Sequence, residues 1–431
     1  MTSTALLTDR YELTMVDAAL RDGTADRRSA FEVFARRLPG GRRYGVLAGT
    51  GRLLDAVERF RFGDAELAWL EAEEVVSART LAWLADYRFT GSISGYREGE
   101  LYFPASPVLT VEGGFAEAVV LETLVLSVLN ADSAIATAAA RMVSAAGDRP
   151  VAEMGSRRTH EDAAVSAARA AWLAGFAATS NLEAGRRWGM PTMGTAAHAF
   201  TLLHDTEEQA FAAQLAAMGP GTTLLIDTYD TLAAVDVAVA LAGPGLGAVR
   251  IDSGDLPVVV SEVRARLDAL GATGTRITVT SDLDEYAIAG LAASPVDSYG
   301  AGTRLVGGSG HPTAGFVYKL VAREDGGGGM RPVEKRSAQK AGRGGRKWAF
   351  RDLLDGIAVA ERVVVAEREP AVDGARALVV PFVASGRTDA AHLGAAGVRT
   401  AREHHRSALA ELPADGLRLS PGDPVLPTLQ V

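Results

Sequence analysis

The feature that most constrains this fold is a repeating alternation of short apolar runs and helical stretches between residues 151 and 303. The units recur about every 25–30 residues, a spacing typical of strand–helix repeats, and such repeats predict a parallel sheet. The runs share polar residues at their ends: residues 222–226 precede Asp227, residues 248–251 precede Asp252, and residues 276–279 precede Ser281 and Asp282. This placement favours an α/β fold of the irregular TIM-like (β/α) barrel type, with an open doubly wound sheet as the alternative.

The first of these units contains two apolar runs separated by an Ala-rich helical stretch. The polar side chains that follow its runs at residues 151–154 and 190–194 are Arg157, Arg158, Thr195 and His198. We therefore expect a β-α-β unit whose polar side chains lie at the carboxyl ends of its strands. In α/β folds, ligands bind at that edge.

Three segments of this unit resemble one protein family. They are EMGSRRTHEDAA at residues 153–164, TSNLEAGRRWG at residues 179–189 and GTAAHAF at residues 194–200. They resemble the nicotinate phosphoribosyltransferases, which are type II phosphoribosyltransferases that join nicotinate to 5-phosphoribosyl 1-pyrophosphate. The resemblance recurs, in chain order, at residues 8–15, 249–256 and 298–320, and it weakens towards the C-terminus.

Composition and charge narrow the class of protein. The 431 residues carry a formal net charge of −9, and 48% of them are hydrophobic. This length predicts two or three domains, and the acidic balance argues against binding to nucleic acid or to an anionic membrane. The absence of cysteine excludes disulfides, thiolate zinc sites and cysteine nucleophiles. The N-terminus lacks a secretory signal pattern, and polar residues interrupt the apolar stretch 118–146, so we expect a cytoplasmic protein without a membrane span.

We predict three regions along the chain. They are an N-terminal α+β domain at residues 1–117, a (β/α) barrel at residues 118–325, and a C-terminal segment at residues 326–431. In the first region, alternation at residues 31–38 and 44–48 around a Pro-Gly turn predicts a hairpin. The C-terminal region includes a basic, glycine-rich loop at residues 335–351, for which a solvated loop is the simplest interpretation. The resemblance implies that this loop lies near phosphates and that the C-terminal segment packs back on the N-terminal domain.

Arg250 and Asp252 lie two residues apart on one predicted strand, so both side chains share a face. If that face lines the site, both point into it, and the alternative is an internal ion pair. The surrounding RIDSGDL segment resembles a family motif. That resemblance implies that Arg250 contacts nicotinate and that Asp252 acts as a catalytic residue. It also implies that Asp252, with Ser253 and Gly254, binds the ribose of 5-phosphoribosyl 1-pyrophosphate, directly or through Mg²⁺.

Two glycine-rich turns, YGAGT at residues 299–303 and GGSG at residues 307–310, follow the last predicted strand. Backbone N–H groups freed by glycine bind phosphate well, and late loops of a barrel are a common phosphate site. YGAGT resembles a family phosphate segment, which implies that Gly302 and Thr303 bind the 5-phosphate. We place Asp282 in the same site, where strand-end aspartates suit Mg²⁺ through water or pairing with arginine. The sequence contains no Walker A motif and no tight metal-ligand spacing.

His198 has two interpretations. A lone histidine in an Ala-rich segment is usually structural, and His204 is a second candidate if one histidine is functional. GTAAHAF, however, resembles the family segment whose histidine is phosphorylated by ATP, which implies a phosphohistidine at His198. A neutral imidazole is a competent nucleophile near neutral pH. The same segment implies that Thr195 contacts the pyridine base.

Tyr11 and Arg157 complete the predicted nicotinate site. Tyr11 lies in TDRYELTM, where a tyrosine packed at a helix edge is the simplest interpretation. The resemblance implies that its ring stacks on the pyridine, and stacking on an electron-poor ring is physically sound. Arg157 can bind a carboxylate or a phosphate in a bidentate manner, and the resemblance places it near the base. Arg158 is expected to be structural.

These features together predict a nicotinate phosphoribosyltransferase that forms nicotinate mononucleotide and pyrophosphate in NAD salvage. The resemblance implies coupling to ATP hydrolysis, a ligase-type classification and a homodimer with a shared site. The alternatives are transfer to nicotinamide or another pyridine, and a barrel-fold binding protein without turnover. A barrel lyase or metal hydrolase is disfavoured, because residues 151–303 contain no lysine and no His/carboxylate cluster.

Overall fold

The computed structural model describes residues 3–335 and 343–431. Helices and strands alternate regularly through the middle of the chain. The helices are α1 (Arg10–Asp22), α2 (Thr50–Glu58), α3 (Asp64–Ala72), α4 (Ala78–Ala85), α5 (Phe115–Val119), α6 (Glu122–Ala146), α7 (Glu161–Leu173), α8 (Leu182–Trp188), α9 (His198–Leu202), α10 (Glu207–Met218), α11 (Thr231–Ala242), α12 (Leu256–Ala269), α13 (Glu285–Gly290), α14 (Thr303–Val306) and α15 (Gly394–Ala410).

The strands contain between two and nine residues each. They are β1 (Arg28–Ala35), β2 (Gly45–Val46), β3 (Ser92–Tyr96), β4 (Leu101–Tyr102), β5 (Leu109–Gly114), β6 (Val151–Glu153), β7 (Ala178–Thr179), β8 (Thr223–Leu225), β9 (Ala248–Ile251), β10 (Arg276–Val279), β11 (Ser298–Ala301), β12 (Phe316–Glu324), β13 (Met330–Pro332), β14 (Lys347–Leu354), β15 (Ile357–Val365), β16 (Ala375–Ala377), β17 (Val379–Ala384), β18 (Arg387–Thr388) and β19 (Thr428–Gln430).

The chain forms two compact units. Unit 1 consists of Met1–Thr137 with His311–Val431, and unit 2 consists of Ala138–Gly310. The domain boundaries predicted at residues 118 and 326 differ from these limits and stay predictions. The first unit limit falls inside the continuous helix α6, so no turn or break in the chain marks it.

Unit 1 is built on an antiparallel sheet with strand order β13-β12-β1-β5-β3-β17-β18. The strands β1, β5 and β3 from the first part of the chain therefore lie in the middle of this sheet, and strands from its last part flank them on both sides. A second sheet, β16-β14-β15-β19, comes entirely from the C-terminal segment. Residues 336–342 of the predicted basic loop lie outside the described residues, and the range predicted as loop also contains the start of β14.

The predicted hairpin between residues 31–38 and 44–48 is wrong. β1 pairs with β5 and β12, whereas β2 pairs with β4. Between β1 and β2 the chain makes a short 3-10 turn, Pro39–Gly41, in which Gly40 adopts a φ of 62°. Alternation identifies a strand but not its partner, and the partners of β1 lie much further along the chain.

A buried ion pair connects β1 and β14 in unit 1. The Lys347 ammonium donates to both carboxylate oxygens of Glu32 at 2.8 and 2.9 Å. The two side chains are only 4% and 3% exposed. Burial raises the pKa of Glu32 even though Lys347 opposes that shift. Each charge therefore depends on the other, because water does not reach either of them.

The stretch Phe115–Ala146 is long and apolar enough to cross a membrane by length and composition alone. Its most apolar window is 61% buried inside the protein. Core helices of soluble proteins share this pattern. The polar residues Asp132 and Arg141 within it are buried, as expected for a helix surrounded by protein.

Unit 2 contains a six-stranded parallel sheet with the order β7-β6-β11-β10-β9-β8. The predicted alternation of strands and helices and the parallel sheet are present. The sheet is a curled half-barrel rather than a closed barrel, since no hydrogen bonds join β7 to β8 in the part of the chain that the structure describes. The solved relatives reported below share this mixed α/β fold.

The second strand of the first unit lies earlier than its predicted position at residues 190–194. β7 occupies Ala178–Thr179, and residues 190–194 contribute only a single bridge between Thr179 and Thr192. The reason is that α8 and its Gly189 cap follow β7 directly. The segment after that cap therefore lies along the sheet edge without forming a full strand.

Candidate active site

A cavity of about 230 Å³ lies at the carboxyl ends of the parallel strands of unit 2. Its lining consists mainly of polar and charged side chains. The lining residues are Met154, Arg157, Arg158, Arg250, Asp252, Thr280, Ser281, Asp282, Gly300, Gly302 and Thr303. Six of the residues predicted from sequence meet here: Arg157, Arg250, Asp252, Asp282, Gly302 and Thr303. They come from the ends of four different strands.

Arg250 is held by contacts on two sides. Its Nη1 donates to the Thr195 hydroxyl at 2.6 Å and to the carbonyl of Ala196 at 3.2 Å. Its Nε donates to Thr280 Oγ1 at 3.0 Å. The side chain is 12% exposed, so the guanidinium is largely fixed and presents one edge to the cavity. Thr195 thus contacts Arg250 and is not itself among the residues that line the cavity.

Asp252 shares the cavity face of β9 with Arg250, as the period-2 alternation of strand side chains requires. Its Oδ1 accepts a hydrogen bond from the Thr280 hydroxyl. The same oxygen is 3.7 Å from Arg250 Nη2. This distance is longer than that of a hydrogen-bonded ion pair, so both groups keep free hydrogen-bonding capacity towards the cavity.

His198 lies close to Asp227 and Thr228, which follow the adjacent strand β8. Its Nδ1 is 3.1 Å from Thr228 Oγ1, and its Nε2 is 3.9 Å from Asp227 Oδ1. The imidazole is 40% exposed, whereas the Asp227 side chain is only 4% exposed. Asp227 Oδ1 is buried without a hydrogen-bond partner among the described residues. The Asp227 carboxylate therefore lies near one ring nitrogen of His198, and the Thr228 hydroxyl contacts the other.

Asp227 also organises the loop after β9. Its Oδ2 accepts from the backbone N–H of Asp252 at 2.9 Å and from the Ser253 hydroxyl at 2.6 Å. Gly254 follows in the left-handed region with a φ of 89°, a conformation that favours glycine at this turn. Ser253 and Gly254 therefore shape the loop next to the cavity.

Glu153, at the end of β6, holds the loop that carries the two arginines. Its carboxylate accepts from the backbone N–H of Gly155 and from the Thr179 hydroxyl. Burial raises the pKa of this carboxyl group. Asn181, on the second loop, donates to the Ser156 hydroxyl at 2.9 Å. These contacts join the ends of β6 and β7. Arg157 and Arg158, which lie on the loop after β6, are both exposed.

The glycines of the YGAGT segment are needed for close packing. A Cβ on Gly302 would lie 3.0 Å from the carbonyl oxygen of Met154. A Cβ on Gly300 would lie 2.6 Å from Thr280 Cγ2 and 2.7 Å from Met154 Sδ. The last strand end therefore lies so close to β6 and β10 that a side chain at either glycine would require its neighbours to shift.

Tyr11 belongs to unit 1, where it lies on α1 with its side chain about half exposed. Burial of the hydroxyl, with the negative charge of Glu122 nearby, raises the pKa of Tyr11 to about 12. The adjacent Glu12 is buried and accepts from the backbone N–H and the hydroxyl of Thr123 at 2.8 and 2.6 Å. The Tyr11 side chain is 47% exposed, and an exposed aromatic ring can stack on another ring.

Some residues of the site carried no clear signal in the sequence. Thr280 and Met154 line the cavity although nothing singled them out, and Glu153 lies beneath it. Thr280 is the residue before the predicted strand end Ser281, so its position on the cavity face follows from the register alone. Among the other strand-end acids, Asp230 and Asp284 cap α11 and α13 through their side chains. Within residues 3–335 and 343–431, no group of three His, Asp or Glu side chains is arranged to hold a metal ion.

Comparison with known proteins gives a consistent family. The N-terminal domain model of the nicotinate phosphoribosyltransferase (NAPRTase) family matches residues 6–130. Nicotinate phosphoribosyltransferase pncB1 of Mycobacterium tuberculosis (strain CDC 1551 / Oshkosh) is 59% identical over 433 residues, covering 98% of this chain and 94% of that relative. Nicotinate phosphoribosyltransferase of Bacillus subtilis (strain 168) is 38% identical over 359 residues, covering 81% and 73%.

Two solved structures share the fold over nearly the whole chain. The crystal structure of human nicotinic acid phosphoribosyltransferase aligns with a TM-score of 0.79 at 25% identity, covering 97% of this chain and 96% of that one. The nicotinate-nucleotide pyrophosphorylase of Pyrococcus furiosus aligns with a TM-score of 0.76 at 24% identity, covering 96% and 95%. The second likeness concerns the fold alone.

Proposed function

The chain belongs to the nicotinate phosphoribosyltransferase family, and we propose how its own residues carry out that family's reaction. The protein is an enzyme of NAD biosynthesis that joins nicotinate to 5-phosphoribosyl 1-pyrophosphate, giving nicotinate mononucleotide and pyrophosphate. The observation that supports the assignment of roles is one cavity that contains Arg250 and Asp252 from the end of β9 together with Thr303 from the end of β11. The finer description of the fold, in which the half-barrel sheet of unit 2 is a form of irregular (β/α) barrel, is part of the proposal.

We assign the nicotinate carboxylate to Arg250 and Arg157. Arg250 is supported from behind by Thr195, so its free edge points towards the cavity. Arg157 lines the same cavity with an exposed side chain, and guanidinium groups bind carboxylates in a bidentate manner. Thr195 fixes Arg250 and in this way contributes to recognition of the base. An anionic substrate suits these arginines better than a neutral amide does.

The phosphoribosyl group occupies the opposite end of the cavity in this proposal. Gly302 and Thr303 lie at the start of α14, where backbone N–H groups are suited to the 5-phosphate. Asp252 accepts the ribose hydroxyls, with the loop of Ser253 and Gly254 beside it. Asp282 lines the same wall. The free oxygen of Asp252 is suited to paired hydroxyl donors.

The proposed cofactor, Mg²⁺, fits a site that is completed by the substrate. Mg²⁺ in phosphate-handling enzymes usually binds one or two carboxylates together with phosphate oxygens and water. Asp252 and Asp282 line the cavity and provide two carboxylates. When bound, the ion neutralises charge on the pyrophosphate leaving group. Asp252 also stabilises the positive charge that develops on the ribose ring as pyrophosphate departs and the pyridine nitrogen bonds to C1.

ATP is the third proposed substrate, and His198 is the group that it phosphorylates. The γ-phosphoryl group passes from ATP to a ring nitrogen, ADP leaves, and water later hydrolyses the phosphohistidine. The 40% exposure of His198 gives access, and the Asp227 carboxylate lies 3.9 Å from its Nε2. Thr228 contacts the other nitrogen at 3.1 Å. His204 is less suited, because its Nδ1 already contacts the Phe200 carbonyl at 2.9 Å.

We further propose a cytoplasmic homodimer in which a second copy supplies Tyr11 to the nicotinate ring. Exposed apolar side chains support an interface: Leu202 and Leu203 are 61% and 77% exposed on the segment after His198. Tyr11 itself is 47% exposed. Aromatic and aliphatic side chains at such exposure are typical of interface residues.

The assay for these roles uses the purified protein with nicotinate, 5-phosphoribosyl 1-pyrophosphate and Mg²⁺, with and without ATP. Nicotinate mononucleotide is the product that is followed. His198→Ala is compared with His204→Ala, a matched histidine on the same segment. We expect ATP to stimulate product formation in the wild type and in His204→Ala, and to have no effect in His198→Ala.

Three other outcomes would change the proposal. Product that is indifferent to ATP would remove the phosphohistidine and leave the transferase. If nicotinamide gives product as fast as nicotinate does, the assignment of the arginines to the substrate carboxylate is wrong. A protein without turnover on any pyridine would be a binding protein of the same fold.

A further inference from the structure

Thr280 stands between two charged groups of the site, and its position follows from the register of two parallel strands. In β9 and β10, Thr278 is paired with Arg250 and Val279 with Ile251. The backbone N–H of Thr280 then donates to the Ile251 carbonyl at 2.9 Å. Thr280 therefore lies level with Asp252 and on the same face of the sheet, one strand away.

One hydroxyl makes both contacts. Thr280 Oγ1 accepts from Arg250 Nε at 3.0 Å and donates its own proton to Asp252 Oδ1. Only a group that is both donor and acceptor can satisfy a guanidinium and a carboxylate in this way. The side chain is 4% exposed, so water does not replace it.

The orientation of this hydroxyl is fixed by packing on its other side. Thr280 Cγ2 faces Gly300 of β11, where an added Cβ would approach it to 2.6 Å. The methyl group thus occupies the side towards β11, and the hydroxyl is left on the side towards β9. A β-branched side chain has few alternative rotamers in such surroundings.

We propose that Thr280 is a positioning residue that keeps Arg250 and Asp252 apart, so that each stays available to a substrate. Arg250 Nη2 and Asp252 Oδ1 are 3.7 Å apart, and opposite charges at this separation attract each other. Without the hydroxyl, the two side chains close into a direct ion pair. That pair consumes the donors meant for the nicotinate carboxylate and the acceptor meant for the ribose hydroxyls.

This inference rests on the roles proposed above for Arg250 and Asp252, and it adds a determinant that acts on both substrates at once. A defect in Thr280 weakens recognition of the pyridine carboxylate and of the phosphoribosyl group together. A defect in a residue that touches one substrate weakens that substrate alone. The KM values for the two substrates therefore separate these cases.

The test compares three variants in steady-state kinetics. Thr280→Val removes the hydroxyl and keeps the shape, and Thr280→Ser keeps the hydroxyl and removes the methyl group. Thr278→Val is the matched control, because Thr278 lies on the same strand and its hydroxyl contacts Ser298 at 2.8 Å instead of Arg250 or Asp252. We expect Thr280→Val to lose about 10- to 100-fold in kcat/KM with a raised KM for both substrates, the range for hydrogen bonds to charged groups. Thr280→Ser and Thr278→Val should stay near the wild type.

Two results would overturn the inference. Thr280→Val with wild-type constants would show that the hydroxyl does not matter, and Thr280→Ser as impaired as Thr280→Val would assign the effect to packing. Should Thr280→Val fold poorly, a crystal structure of Thr280→Ala supplies an independent measurement. We expect Arg250 and Asp252 there in direct contact, and an unchanged separation would contradict the proposal. A wild-type protein without product would remove the proposed roles themselves, a result distinct from either of these.

Discussion

The carboxylate of Asp227 accepts a hydrogen bond from the backbone N–H of Asp252 at 2.9 Å, which joins the ends of β8 and β9. The same oxygen also accepts from Ser253, while the other oxygen faces His198 at 3.9 Å. One side chain therefore sets the position of the proposed phosphorylated histidine relative to the ribose-binding loop. The proposed phosphoryl-transfer and glycosyl-transfer steps would both depend on this side chain.

Replacing Asp227 with Asn should uncouple the two steps. The amide oxygen can still accept from Asp252 and Ser253, but the negative charge beside His198 is lost. We expect ATP stimulation to fall about 10- to 100-fold, as for the loss of a charge about 4 Å away near a protein surface, with a smaller change in the reaction without ATP. Asp230→Asn is the control, because Asp230 only caps α11. Equal losses with and without ATP would contradict this coupling.

Glu12→Gln should change how stability depends on pH. Burial raises the pKa of Glu12 from 4.5 to about 7, so the folded state holds this proton more tightly than the unfolded state. The contribution of Glu12 to the free energy of unfolding is therefore greatest below pH 4.5, and it falls as pH rises towards about 7. Because Gln does not titrate, we expect the free energy of unfolding of the variant to fall by about 1–3 kcal/mol less than that of the wild type over this pH range.

The measurement for Glu12 is urea unfolding of both proteins across this pH range. Glu122 also has a pKa raised by burial and contributes a decrease of the same sign in both proteins. Exposed Glu71→Gln serves as the control. Parallel curves for the wild type and Glu12→Gln would mean that Glu12 ionises normally in the folded protein.

Lys347→Met should destabilise unit 1 strongly. It leaves the Glu32 carboxylate buried without a partner, and breaking such a pair typically costs about 3–5 kcal/mol. The double variant Glu32→Gln/Lys347→Met removes the uncompensated charge and should recover most of that loss. Thermal unfolding measures both, and Arg266→Met, in an exposed pair with Asp236, should change stability by less than about 1 kcal/mol. A double variant as unstable as the single one would show that packing, not charge, dominates here.

Gly302→Ala should impair binding of 5-phosphoribosyl 1-pyrophosphate. The added methyl group would lie 3.0 Å from the Met154 carbonyl oxygen, so the turn must move away from β6. Overpacking of this kind costs about 1–3 kcal/mol, and we expect KM for this substrate to rise about tenfold. The control is Gly290→Ala, which has nothing within 4 Å of the added methyl group. An unchanged KM would separate this turn from phosphate binding.

The sequence predicted the parallel strands well because their pattern is local. The apolar runs before Asp227, Asp252 and Ser281 became β8, β9 and β10 with nearly the predicted limits. Side-chain alternation then placed Arg250 and Asp252 on one face, and both line the cavity. Which groups meet at strand ends follows from these local facts and the parallel order.

Features that depend on partners distant in the chain were not predictable in this way. The hairpin failed because β2 pairs with β4, and β7 was missed because it contains only two residues. Thr280 gave no signal, since a threonine at a strand end is ordinary until the register places it beside Asp252. The buried Lys347 was part of a segment that composition marks as a solvated loop, and only its contact with Glu32 explains its burial.

The pairing of early strands with late strands in unit 1 has a consequence for synthesis on the ribosome. β3 receives its neighbour β17, and β1 its neighbour β12, only from sequence that lies beyond all of unit 2. At ordinary translation rates, the early strands wait roughly tens of seconds for these partners. During that interval their edges are unpaired and open to association with other nascent chains, so the first part of this protein to emerge is the last to be finished.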